Sequence, residues 1–370
     1  MANCHNLFEE FNSKIKLDDD KRVNLRAKRN TLREKIKLGF AKIRSVTQLN
    51  EAFVSVKEEM EFQSQGSYVM DTIISPATAN DEYDLDDGVY FFGKLTKTQR
   101  PQPQTFHDFI IESIKQGKGD HEIDEIIDKE TCVRVKFKGK NGDFNYHIDI
   151  PIYYATNIKQ PELADTNVKK SWYVSNPVDF IVWFENLIQS GFKAEFILER
   201  KLYQNEYDKW LNDRRKADHQ LRRIVRYLKS WSISIPGDMP PGVVMTILAG
   251  VNSNFVPDVR DDISLRGTLV NIQKWLTGNG FTCPRPTTPV GDDLFQTYSA
   301  DRKANFRKAL DAFVTSANQA LESANPKEAC QKWQKHLGPK FPCHMAKDEI
   351  ENSNVYAAPT VIRSTNPKSA

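Results

Sequence analysis

The chain has 370 residues and carries 52 Lys and Arg against 49 Asp and Glu, a net charge of only +3. That balance excludes a protein that coats nucleic acid, so no stable nucleic-acid partner is expected, while the length allows two or three domains with substantial cores. No apolar run approaches the roughly 18 residues of a membrane span, and Met1 to Asn12 lacks the basic and hydrophobic regions of a secretory signal, so a cytoplasmic protein without a membrane partner is expected.

In chain order, Asp18, Asp19 and Asp20 supply a cap and an acidic first turn for a helix running to about Arg44, with Val23, Leu25, Leu32, Ile36, Phe40 and Ile43 among many basic residues. A second helix, Gln48 to Met60, leads to Gln65-Gly66-Ser67, where the Gly-Ser pair opens a short helical turn, and a loop with Pro76 and Asn80 follows. An acidic strand then places Asp84 and Asp86 on one face and Leu85 in the core, because strand side chains alternate. Lys94 to Pro103 reads as a polar turn region, and Thr105 to Gln116 as a helix with Phe106, Phe109, Ile110 and Ile114 on one side. In the strand Cys132 to Phe137, Val133, Val135 and Phe137 face the core and Arg134 the carboxylates. Asn141-Gly142 marks a hairpin turn into a strand whose Ile148, Ile150 and Ile152 share a face opposite Asp149.

Three acceptor-only carboxylates repel one another unless a hard cation sits among them, and Mg²⁺ prefers such ligands together with substrate phosphates. Two such ions can hold the attacking and leaving oxygens of an in-line phosphoryl displacement. Gly66 lets the backbone approach a triphosphate closely, and Ser67 adds a hydroxyl and an N–H. The implied chemistry is nucleotidyl transfer from a nucleoside triphosphate. An ordinary acidic turn at Asp84, Asp86 and Asp87 would leave the order of Gly-Ser, Asp-x-Asp and the later Asp unexplained.

From Trp172 the pattern is mostly helical. Asn176-Pro177 starts a helix through Gln189, and Glu206 to Trp210 lies in a charged one. Gln220 to Trp231 carries Leu221, Ile224, Val225, Leu228 and Trp231 at helical spacing, with Lys229 off that stripe. Pro240-Pro241-Gly242 opens an apolar helix to Val251, and another spans about Ile263 to Gly278. A proline-rich loop, Pro284 to Pro289, precedes Asp292 and Asp293, and a helix from Asp301 to Ser323 presents Phe306, Leu310, Phe313 and Leu321. From about Gly338 to Ala370 the chain reads as an extended or disordered tail. Cys4, Cys132, Cys283, Cys330 and Cys343 form an odd set without a Cys-x-x-Cys pair, consistent with reduced thiols. A zinc site from Cys330, His336, Cys343 and His344 fits none of the usual spacings.

The segments QGSY…DT, YDLDDGVYF, CVRVKF, HIDIPIY and LRRIVRYLKSW followed by Met-Pro-Pro resemble the DNA polymerase β-like nucleotidyltransferases and, within them, the bacterial cGAS/DncV-like enzymes, over roughly residues 20 to 320. The resemblance implies an α+β fold: a nucleotidyltransferase core with a mixed β-sheet and a long N-terminal spine helix in residues 1–170, a helical lobe in 171–337, and a tail in 338–370. It implies a Mg-dependent enzyme, with Mn²⁺ as an alternative, that joins ATP, and GTP as a second substrate, into a cyclic dinucleotide such as cyclic GMP-AMP in anti-phage signalling. A linear or tailing nucleotidyltransferase and a nucleotide-binding pseudoenzyme are the competing readings.

The site implied has Asp84, Asp86 and Asp149 as catalytic metal ligands and Gln65, Gly66, Ser67, Arg134, Lys229 and Gly242 around the nucleotide. Arg134 either contacts substrate phosphate or balances the acids, and Lys229 either reaches the triphosphate or lies on a solvated face. Gly242 stands where relatives place a phosphate-holding serine, leaving backbone N–H groups to serve. By analogy Asp292 and Asp293 lie near the cleft mouth. The tail ending Lys368-Ser369-Ala370 is either a frayed terminus or the target of a ubiquitin-transfer-like partner.

Overall fold

The computed structural model describes residues 2–46, 60–78, 81–116, 122–139, 143–157, 159–167, 169–188, 205–206, 209–210, 213, 217–253 and 260–347. The expected helix Gln48 to Met60 and the charged helix around Glu206 to Arg215 lie largely outside these residues, as does everything beyond Lys347.

Among the described residues, eight strands form one mixed sheet: β1 (Glu61–Gln65), β2 (Tyr83–Phe92), β3 (Ile123–Lys129), β4 (Cys132–Phe137), β5 (Tyr146–Ile150), β6 (Ile152–Ala155), β7 (Glu162–Ala164) and β8 (Trp172–Val174). The order is β3-β4-β5-β2-β6-β7-β8, with β1 paired antiparallel to β2. β5 and β6 are one line interrupted at Pro151, which has no N–H to give. The pairing with β2 keeps the same parallel register on both sides, Asp86 opposite Asp149 and Val89 opposite Ile152.

Two helices cover the apolar face of this sheet. In the spine helix, α2 (Asp19–Val46), Asp18 accepts from the Lys21 backbone N–H as a cap. Leu25, Leu32 and Ile36 are buried as expected, whereas Val23 is 59 % exposed, off the buried stripe. The short turn Gly66–Val69, α3, follows β1, and α4 (Pro103–Gln116) buries Phe106, Phe109, Ile110 and Ile114. Phe40 of α2 meets Phe109 edge-on at 4.9 Å. The strand faces fall as the alternation predicts: Val133, Val135, Phe137 and Leu85 are in the core.

The helical part is built on α6 (Gln220–Ser234), surrounded by α1 (His5–Ile15), α5 (Pro177–Leu187), α7 (Gly242–Asn252), α8 (Asp261–Gly278), α9 (Ala300–Glu322) and α10 (Pro326–Leu337). Side-chain caps from Asn176, Ser299 and Asn325 start α5, α9 and α10. α1, which precedes the spine helix in the chain, packs with this part: Phe8 lies 5.1 Å from Tyr227 and 5.0 Å from Trp333.

Two readings of the C-terminal region need correction. Cys330 and Cys343 are joined in a disulfide rather than kept as thiols, because the chain folds back after α10; Cys4, Cys132 and Cys283 are free and buried. That bond and the His336–Ser316 contact also leave no zinc-like group of these residues. A tail does not begin at Gly338: Phe341 is fully buried against Phe8 and Phe11, and ordered chain continues to Lys347.

Candidate active site

One cross-strand row organises the site. Residues directly opposite one another in neighbouring strands point to the same side, and the pairings line up Arg134 of β4, Asp149 of β5, Asp86 of β2 and Gln65 of β1. The next row holds Lys136, His147 and Asp84. Alternation alone thus brings Asp84, Asp86 and Asp149 onto one polar face, with Gln65 at its edge. Gln65 is fixed by two tyrosines, its carbonyl oxygen accepting from the Tyr153 hydroxyl at 3.2 Å and its amide donating to Tyr90 at 3.4 Å.

Immediately after Gln65 the chain turns through Gly66 at φ +62°, a left-handed conformation that favours glycine. A Cβ at Gly66 would lie 2.3 Å from an Asp86 carboxylate oxygen. The Gly66-Ser67 turn and Asp86 therefore touch, and any side chain would part them.

The three carboxylates are not equivalent. Asp149 is held by Arg134, Nε to Oδ1 and Nη2 to Oδ2, both at 2.7 Å. The charge-balancing role of Arg134 is the one formed here. Asp84 and Asp86 have no hydrogen-bond or ion-pair partner among the described residues. Burial, with the like charges of Asp84 and Asp149, pushes the Asp86 carboxyl well above its usual range, against the pull of Lys229 and Arg134.

Lys229 of α6 forms the opposite wall. Its Nζ donates to the Thr72 carbonyl at 3.0 Å and to the Thr72 hydroxyl at 3.2 Å, so it is half-buried in the cleft and not on a solvated face. Burial draws its ammonium down to about 8, partly offset by Asp84 and Asp86. Gly242, at the start of α7, lies against it: a Cβ there would come 3.1 Å from Lys229 Cε, so the missing side chain leaves the lysine room to move. The cleft between the two walls measures about 630 Å³ and is lined by Gly66, Ser67, Asp84, Asp86, Lys229 and Gly242, among others.

The donor set fits a hard divalent cation at Asp84 and Asp86. Mg²⁺ is commonly bound by one or two carboxylates and completes its shell with substrate phosphates and water, and these two carboxylates have no hydrogen-bond or ion-pair partner among the described residues. Asp149, expected as the third ligand, has Arg134 on both its oxygens, so that no three-residue ligand group is assembled among the described residues until Arg134 moves.

Sequence reading missed two of the residues gathered here. Glu82, two positions before Asp84 and so on the same face, lines the cleft and accepts from Lys136 Nζ at 2.7 Å and His147 Nδ1 at 2.8 Å. Burial alone would raise its carboxyl, but these two partners hold it below the usual range. Period-two counting would have found it. Thr72, the partner of Lys229, stands in the sequence only as the end of the QGSY…DT segment, with no role attached to it. Asp293 instead supports its own loop, accepting from the Cys283 and Phe295 backbone N–H groups, and neither it nor Asp292 lines the cleft.

Residues 60–153 match the family model described as cyclic GMP-AMP synthase DncV-like, nucleotidyltransferase domain. A cyclic GMP-AMP synthase from Escherichia coli (strain TW11681) is 21% identical over 276 residues, 65% of this chain and 61% of that one. The cyclic GMP-AMP synthase of Vibrio cholerae is 25% identical over 57% of this chain and 50% of its own length. The chain thus spans about three-fifths or less of these relatives. The crystal structure of Vibrio cholerae DncV cyclic AMP-GMP synthase superposes with a TM-score of 0.68 at 17% identity, covering 92% of this chain and 97% of that one. The expected α+β nucleotidyltransferase fold with its helical lobe is the fold observed.

Proposed function

We propose, from the premise that this chain carries a DncV-like nucleotidyltransferase domain, that it joins nucleoside triphosphates into a cyclic oligonucleotide and releases pyrophosphate. The observation that carries this reading is the pair of carboxylates without a hydrogen-bond or ion-pair partner among the described residues, Asp84 and Asp86, which share one cleft with Lys229 and the Gly66-Ser67 turn, Asp86 lying against Gly66. In each round a ribose hydroxyl oxygen attacks the α-phosphorus, the bond from that phosphorus to the pyrophosphate oxygen breaks, and the hydroxyl proton passes to solvent water.

Mg²⁺, or Mn²⁺ in its place, would supply Lewis-acid stabilisation of the attacking and leaving oxygens when held by Asp84 and Asp86. The chain's own residues do the rest. Gly66 and Ser67 offer backbone N–H groups and a hydroxyl to the donor phosphates, beside Gln65. Lys229 gives up Thr72 for phosphate oxygens, a charge-assisted contact in a half-buried site. Backbone N–H groups at Gly242 add a weaker contact. Asp149 aligns the attacking hydroxyl once Arg134 turns from it toward phosphate.

A cyclic dinucleotide such as cyclic GMP-AMP, made from ATP and GTP, is the product we favour, because curated relatives bear the name cyclic GMP-AMP synthase and a similar structure contains the linear intermediate pppApG. We place the enzyme in the bacterial cytoplasm and in anti-phage signalling; no helix among the described residues is long and apolar enough to cross a membrane. The tail that a ubiquitin-transfer-like partner would act on lies outside the described residues.

Purified protein given labelled ATP and GTP with Mg²⁺, followed by phosphatase, tests the reading. Pyrophosphate and a phosphatase-resistant product support it. A phosphatase-sensitive ladder marks a linear synthase, and no incorporation across all nucleotides rejects the enzyme.

A further inference from the structure

Three basic residues of α6, Arg222, Arg226 and Lys229, recur at helical spacing and so share one side of the helix. They take the carbonyl oxygens of three consecutive residues just after the Gly66–Val69 turn. Arg222 Nη1 donates to Met70 O and Arg226 Nη1 to Asp71 O, each at 2.5 Å, and Lys229 Nζ donates to Thr72 O at 3.0 Å. The anchored segment returns to the turn through the Thr72 N–H, which donates to Ser67 O at 2.9 Å, and the Met70 N–H, which donates to Gly66 O at 3.2 Å.

Both arginines are completely buried, and each is aimed by partners on its far side. Glu185 of α5 accepts from Arg222 at 2.8 and 2.7 Å. Asn12 of α1 accepts from Arg226 Nε at 2.9 Å, and Asp218 pairs with Nη2. Asp71 sits at φ 55°, a left-handed conformation a non-glycine residue holds only when its surroundings fix it. Its buried carboxylate pairs with Arg22 at 2.6 Å and Lys16 at 3.3 Å, both from the N-terminal segment.

The Gly-Ser turn belongs to the sheet and Lys229 to the helical part, so their relative position is set by what ties the two together. We propose that Arg222 and Arg226 are positioning residues for the donor triphosphate: by holding the Met70 and Asp71 carbonyls they register the Gly66-Ser67 turn against Lys229, so that both meet the same phosphate chain. The inference rests on the nucleotidyl-transfer reading. It adds that triphosphate affinity depends on residues that never touch the nucleotide. A purely structural role predicts something else, a loss of stability without selective loss of phosphate binding.

The test is calorimetric titration of Mg²⁺ with α,β-methylene-ATP, which cannot react, and separately with AMP, on two variants. Arg226→Lys keeps a cation but loses the fork that spans Asp71, Asn12 and Asp218. Asp218→Asn is milder, since Asp218 is partly exposed and has φ 32°, which Asn tolerates; it removes the charge that aims Arg226 and that Lys16 approaches at 3.8 Å, while leaving a side-chain oxygen for Asn12 Nδ2. We expect α,β-methylene-ATP to bind about tenfold more weakly to Arg226→Lys and about threefold more weakly to Asp218→Asn, with AMP affinity within twofold of the parent in both. Should Arg226→Lys not fold, the milder variant decides alone. Unchanged α,β-methylene-ATP affinity in the folded variants, or equal losses for α,β-methylene-ATP and AMP, overturns the positioning role while leaving the enzyme reading intact. A parent protein that binds no α,β-methylene-ATP overturns both.

Discussion

Two neighbouring residues of β2 show the two uses this fold makes of an acid. Asp86 faces the cleft with no partner among the described residues, while Asp87, on the other face, is almost completely buried and fully engaged. Arg33 Nε donates to Asp87 Oδ2 at 2.6 Å, and the Ser64 hydroxyl donates to Oδ1 at 2.9 Å. Sequence neighbours with the same chemistry thus differ only in the face that alternation gives them. A charge with built-in partners is part of the architecture. A crowded carboxylate that has been given none marks the place where something else supplies the positive charge.

The largest effect should come from the cleft face. Replacing Asp84 and Asp86 together with Ala should cut nucleotide incorporation by about three orders of magnitude or more, the loss of several kcal/mol of charge stabilisation. The thermal midpoint should hold or rise, because removing like charges relieves their repulsion. Incorporation measured beside a melting curve checks both, and a folded double variant with near-parent turnover would contradict the assignment.

Next is Lys229, on the wall opposite. Lys229→Ala removes one charge-assisted contact, worth roughly 1.5–3 kcal/mol, so kcat/KM for the triphosphate should drop about one to two orders of magnitude. An unchanged value would return Lys229 to a purely structural bond with Thr72.

The architectural face should respond in the opposite way. Asp87→Ala should cost about 2 kcal/mol in denaturant unfolding, below the roughly 3–5 of a fully buried pair because Arg33 keeps some access to water. A variant with parent stability but no activity would move Asp87 into the chemistry and dissolve the comparison.

The smallest effect concerns pH. Lys229, drawn down to about 8, is charged below that value and neutral above it, so its help to an anion is present at pH 7 and fades as pH rises. Triphosphate affinity should fall about tenfold or less between pH 7.5 and 9.5 in the parent, since bound phosphate itself favours the charged lysine, and the slope should flatten in Lys229→Ala. The same slope in both proteins would assign the titration elsewhere.

How much of this the sequence disclosed follows from which interactions are local. The carboxylate face was legible because the start of β2, Tyr83 to Asp86, and the whole of β5 alternate apolar with polar residues, and the Gly-Ser turn because a left-handed residue before a short helix calls for glycine. The helices from Pro177 to Glu322 announced themselves through caps and apolar spacing. β7 and β8, three residues each, are too short to show a period. α1 carries a readable stripe in Leu7, Phe8, Phe11 and Ile15, all of them buried.

What could not be read were the outcomes of tertiary packing. The Cys330–Cys343 bond depends on how the chain turns after α10, and the burial of Phe341 on a ring of aromatics contributed from α1. Likewise, Arg134 was visible as a residue facing the acids. That it grips Asp149 and leaves Asp84 and Asp86 alone follows from the β4–β5 register, which brings Arg134 and Asp149 side by side.

The most direct test of the account is anomalous diffraction from crystals grown with Mn²⁺ and α,β-methylene-ATP. The account predicts manganese bound by both Asp84 and Asp86, bridging to a triphosphate that lies over Gly66 and Ser67 with Lys229 turned toward it. Manganese absent from these two carboxylates while the nucleotide is bound, or a nucleotide bound with its phosphates away from the Gly-Ser turn, would contradict it.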